Sequence, residues 1–158
     1  MPITPLHLGV LAPIRGLAER KGVQISFWAF LWVNLVIDAE AIKAWAFHMP
    51  LPDHPWQTHS FLSATFAGLL IVILGVTTRR PWYPSKDWVL GAFLGAYTHI
   101  LLDMLVHPEM EPFYPIKGNP FYVGWREPLC AVLLMGLGWV IAQYVSGILA
   151  RMRKPPEG

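Results

Sequence analysis

Apolar residues run in four long stretches along this chain, roughly Val23 to Phe47, Phe61 to Thr77, Trp88 to Val106 and Pro128 to Ala150, with short polar segments between them. Each is long enough to span the ~30 Å of hydrocarbon in a bilayer, at about 1.5 Å of rise per helical residue. The pattern predicts an all-α integral membrane bundle of four transmembrane helices. Residues 1–22 stand apart. There "TPLHLGVLAP" starts with Thr4 as a helix cap and Pro5 at the first helical position, and Pro13 ends or kinks the helix. Its ten residues make ~15 Å of helix, half a bilayer. Two arrangements are open for it: a re-entrant half-helix carrying His7 to the midplane, or a helix lying flat on the surface.

Composition agrees with the apolar pattern. Of 158 residues, 54% are hydrophobic and 14% charged, whereas a soluble domain carries nearer a quarter charged residues. The length suits one domain. A net charge of +2 and the lack of a basic run with interleaved aromatics exclude a nucleic-acid track. Cys130 is the single cysteine, which rules out an internal disulfide and a cysteine-built zinc site. The N-terminus has neither a basic region nor a small-residue cleavage site, so it is not read as a signal peptide.

Basic residues are unevenly placed. Arg15, Arg20 and Lys21 precede the first stretch, Arg79, Arg80 and Lys86 lie between the second and third, and Arg151, Arg153 and Lys154 follow the fourth. The segment from His48 to Ser60 has none, and that from His107 to Glu127 has only Lys117 and Arg126. The positive-inside rule then places both termini in the cytoplasm of a multi-pass inner (plasma) membrane protein. In that orientation Asp38, His54, His59, His99, Asp103 and His107 all fall in the outer half of the membrane or just beyond it.

Within the third stretch, Gly91, Gly95, His99, Asp103 and His107 form one i, i+4 stripe. The glycines permit close helix approach. A carboxylate at bilayer depth costs roughly 2.5–3.5 kcal/mol, so Asp103 needs a reason to be there. An imidazole and a carboxylate on one buried face are ingredients of a transition-metal site, and equally of a hydrogen bond that fastens two helices. His107 precedes Pro108, which biases it out of helical geometry; it could ligate from the helix end or lie in water, and the second reading is preferred. On the first stretch Asn34 and Asp38 share a face, with Asp38 read as inward and functional. Glu40 points nearly the opposite way and is within reach of Lys43. "DHPWQTHS" offers His54 and His59; His59, at the start of a helix that Thr58 or Ser60 can cap, is the better ligand, and His48 is read as solvated. The sequence holds no nucleophile elbow, phosphate loop, dinucleotide fingerprint or inverted repeat.

Four elements in order, the early "PLHLG", "NLVIDAE", "HPWQTHSF" and "GAYTHILLDMLVHPEMEPFYP", resemble the membrane-bound metal-dependent hydrolase family of bacteria and archaea. That family is in turn similar, in its metal ligands, to zinc-dependent phospholipase C. The resemblance covers roughly the first three-quarters of the chain. It implies metal-ligand roles for His7, Asp38, His59, His99 and Asp103, with His54 as a further candidate. The family's acidic element often reads D-x-D-H, and "DAEA" departs from it, leaving the second acidic role and the number of ions open. His and Asp donors suit Zn²⁺, with Mn²⁺ or Fe²⁺ as alternatives. The implied chemistry is metal-assisted hydrolysis of an amphiphilic phosphoester or ester at the extracytoplasmic face. His54 is the preferred proton acceptor, because Glu40 faces away from Asp38. Two rival readings use the same residues: a small ion, proton or metal carrier, and a structural membrane protein whose polar groups only fasten helices. A homo-oligomer is compatible with all three.

Overall fold

The first apolar stretch is two helices rather than one. The computed structural model describes residues 4–50, 59–78, 86–124 and 126–152. Among them the chain is helical with no strand: α1 (Thr4–His7), a 3₁₀ turn (Leu8–Val10), α2 (Leu11–Glu19), α3 (Phe27–Ile37), α4 (Ala39–Ala46), α5 (Phe61–Thr77), α6 (Lys86–Val106) and α7 (Arg126–Met152). Ser26 caps α3 by accepting the amide N–H of Ala29 at 3.3 Å. The helix then stops at Asp38, whose backbone (φ −85°, ψ 6°) leaves the helical region before α4 begins.

Among the described residues two helices are long and apolar enough to cross a membrane, not four: α6, and the Pro128–Ser146 part of α7. The break at Asp38 leaves α3 with 11 residues, and α5 has 17, against the ~20 a spanning helix needs. The bounds of α5 match the apolar stretch, because a reciprocal Ser60–Ser63 capping box fixes its start. The N-terminal helix does not stop at Pro13. That residue is third in α2, within the first turn, where its missing N–H costs nothing. The helix is irregular over the 3₁₀ turn Leu8–Val10, which contains Gly9, the residue four before Pro13 whose carbonyl a proline ring crowds, so of the two expectations the kink fits and the ending does not.

Helices α3, α5 and α6 pack into one unit around Ala29, Val33, Ala64, Ile71, Ala92, Ala96 and Ile100. Small residues set the spacing. A methyl group on Gly91 would overlap the Ser26 carbonyl, and one on Gly95 would lie 2.6 Å from Val33 Cγ1. The α6 backbone therefore rests against α3, as the small-residue stripe implies. Trp88 Nε1 donates to the Ile71 carbonyl at 3.0 Å and joins α6 to α5.

A second core, of Leu8, Leu11, Ile25, Phe30 and Val140, holds α7 to the N-terminal segment. Here Gly9 and Gly136 meet backbone to backbone, since a methyl group on either would overlap the other helix. Much of α7 is otherwise exposed and apolar, including Val132, Leu134, Met135 and Ile141, as lipid-facing surface would be.

Candidate metal centre

Five polar side chains that the packing could have left apart converge where α3 and α6 end and α5 begins. Asp38 closes α3. His59 stands just before Ser60, the cap of α5. His99 and Asp103 occupy the last two turns of α6, and His7 ends α1. All five are buried. The loop after α6 is tied to this end, with the Phe61 N–H donating to the Pro112 carbonyl at 2.9 Å. Asn119 donates from Nδ2 to the Met104 and His107 carbonyls at 2.6 and 2.8 Å, satisfying orphan acceptors at the α6 C-terminus.

The three histidines present the same atom, Nε2, to the two carboxylates. His7 Nε2 lies 3.1 Å from Asp103 Oδ1, and His59 Nε2 lies 3.2 Å from Asp38 Oδ1 and 3.9 Å from Asp103 Oδ2. His99 Nε2 is placed between the carboxylates, 3.4 Å from Asp38 Oδ1 and 3.3 Å from Asp103 Oδ2. It is fully buried and forms a properly aligned hydrogen bond with neither, and His7 Nδ1 is likewise buried without a hydrogen-bond partner among the described residues. The rings of His7 and His99 stack with centroids 4.0 Å apart and planes 11° from parallel. His59 is tilted 54° to His99 at 5.5 Å.

Asn34 fixes a proton on Nδ1 of His99. Its Nδ2 donates to the Phe30 carbonyl at 2.7 Å, so its Oδ1 is the atom that meets His99 Nδ1, at 2.8 Å. Only a protonated Nδ1 can donate to that oxygen. In the neutral ring, Nε2 then carries a bare lone pair aimed between two carboxylates. In that form three acceptors face one another in a dry site and repel; a proton on Nε2 or a metal cation at their centre removes the conflict.

The donor set fits such a cation. Two groups of three, His7–His99–Asp103 and Asp38–His59–His99, each bring one donor atom per residue to within 4.8 Å of one another. Donors ~2.0–2.1 Å from a tetrahedral Zn²⁺ stand about 3.3–3.4 Å apart. The spacings of His99 Nε2 from both carboxylates, and of His59 Nε2 from Asp38, fall close to that edge.

All five residues that the family resemblance implies as ligands are therefore in one place. His54 lies outside the described residues. Glu40 is exposed on α4 and His48 is exposed, as their sequence context suggests. His107 is not in open water: it is buried and paired with Glu109 at 3.2 Å, because Asn119 folds the following loop back over it. Asn34 is placed by the sequence on the face of Asp38 but given no role there; its contact with His99 comes from α6.

A helical chain with apolar outer surface and a buried His/Asp cluster at one end of its bundle is a membrane protein built around a polar centre. This chain belongs to the YdjM inner membrane protein family, whose model matches residues 25–156. Asp38, His59, His99 and Asp103 fall within the matched residues and His7 falls before them. No curated protein and no solved structure matches the chain.

Proposed function

We propose that the chain is a membrane-embedded, metal-dependent hydrolase of amphiphilic phosphoesters or esters. The observation that carries the metal part is His99, with Asn34 on Nδ1 and two carboxylates around an unsatisfied Nε2. The hydrolytic part rests on the resemblance of the His/Asp elements to the membrane-bound metal-dependent hydrolases. A divalent ion at such a site, Zn²⁺ or alternatively Mn²⁺ or Fe²⁺, supplies Lewis-acid polarisation of a substrate oxygen and acidifies water.

The residues have separable tasks. Asp38 and Asp103 bring the negative charge that holds a cation, and the imidazoles of His59 and His99 neutral donors. Asn34 orients the His99 ring. Asp38, at the α3–α4 break, has the most exposed side chain of the cluster at 9%, which makes this edge the natural approach for a head group. His54, five residues ahead of His59, is the proposed proton acceptor. The asymmetry of Lys and Arg supports an extracytoplasmic position for the site and cytoplasmic termini.

The test is turnover by the purified protein on phospholipids, isoprenoid phosphates and simple esters, with and without chelator. Hydrolysis should vanish with chelator and return with Zn²⁺ or Mn²⁺. His54→Ala should keep the metal and lose rate, whereas His99→Ala should lose both. A metal-loaded protein that hydrolyses none of these, yet moves ions across liposomes, would make it a carrier instead.

A further inference from the structure

We infer, on the reading that the cluster holds a cation, that His7 is not one of its ligands: it positions Asp103 from outside, and the ion is held by Asp38, His59, His99 and Asp103. A histidine nitrogen binds a metal along its lone pair, which lies in the plane of the ring. The rings of His7 and His99 stack at 4.0 Å with only 11° between their planes. Stacked rings in van der Waals contact keep their planes about 3.5 Å apart. An ion in the plane of His99 therefore lies farther from the plane of His7 than the ~2.0–2.1 Å of a metal–imidazole bond, and the small tilt closes little of that gap. The two rings cannot serve one ion together. His59, tilted 54° to His99, is under no such restriction.

Asp103 shows the same division. His99 and His59 face its Oδ2, at 3.3 and 3.9 Å, while His7 meets its Oδ1 at 3.1 Å. With His7 Nε2–H donating to Oδ1, the carboxylate is held on one side and free on the other to face the ion with Oδ2. This is the arrangement of a ligating carboxylate fixed by an outer hydrogen bond. Asn34 does the same for His99, so each ligand on α6 has its own support. The N-terminal segment then acts as a brace, pressed onto the cluster by α7 through Gly9 and Gly136. Four protein donors would fill a tetrahedral Zn²⁺, so a substrate oxygen would enter only by expansion to five-fold coordination.

X-ray absorption of the full-length protein loaded with Zn²⁺ counts the imidazoles bound to the metal. We expect two in the wild type and the same spectrum in His7→Gln, whose amide nitrogen can replace Nε2–H. His7→Ala should keep two imidazoles at saturating Zn²⁺ while its affinity falls about 10–100-fold, and His7→Gln should restore most of that loss. Three imidazoles in the wild type, or one fewer in either His7 variant, would overturn the assignment. Absence of bound Zn²⁺ from wild-type protein would overturn the metal reading itself. The wild-type count decides the question even where a variant fails to fold.

Discussion

Asn34 and His99 form the pair on which the centre depends: Oδ1 of the amide accepts from Nδ1 of the ring at 2.8 Å, and the opposite face of the amide is locked by the Phe30 carbonyl. The pair lies between α3 and α6 at the level of Gly95, where the glycine lets the helices approach. Loss of the amide should free the His99 ring without removing a ligand. Asn34→Ala is expected to weaken Zn²⁺ binding about 10–100-fold, measured by competition with a chromophoric chelator. An unchanged affinity would mean that the ring is held by packing alone.

The contact between Gly9 and Gly136 gives a prediction that is independent of any ion. A methyl group on Gly136 would overlap the Gly9 carbonyl, whereas one on Gly138 meets nothing within 4 Å. Gly136→Ala should destabilise by about 1–3 kcal/mol through overpacking, with a lower melting temperature in detergent. Gly138→Ala should leave it unchanged. Equal effects of the two would place α7 elsewhere.

The proposed orientation is open to thiol labelling in intact cells. Lys117 is exposed in the segment that follows α6, and Thr78 is exposed just beyond the far end of α5. In a Cys130→Ala background, Lys117→Cys should react with an impermeant reagent from outside, and Thr78→Cys only after permeabilisation. The reverse pattern would turn the site to the cytoplasm.

Much of the centre was legible in the sequence because it is local. The i, i+4 spacing of His99 and Asp103, and Gly95 and Gly91 one and two turns before His99, needed only helical periodicity. The bounds of α5 could be read because its capping residues stand next to the apolar run. The break at Asp38 was hidden, because apolar residues continue on both sides of it and its partners come from elsewhere. His59 and His99 reach it from α5 and α6, and no window on the first stretch contains them. The same holds for Asn119, which caps α6 from 12 to 15 residues away, and so for the burial of His107. Pro13 marked an irregularity but not its place: the helix departs from α geometry over Leu8–Val10, around the carbonyl four residues before the proline, and continues to Glu19.

The most direct test of the central claim is the metal content of the purified chain, wild type against His99→Ala and Asp103→Ala. With a cation held by the cluster, the wild type should carry about one equivalent of a divalent transition metal after gentle purification, and both variants should fall well below that while still accumulating in the membrane. A wild type free of such metal, or full occupancy in both variants, would contradict it.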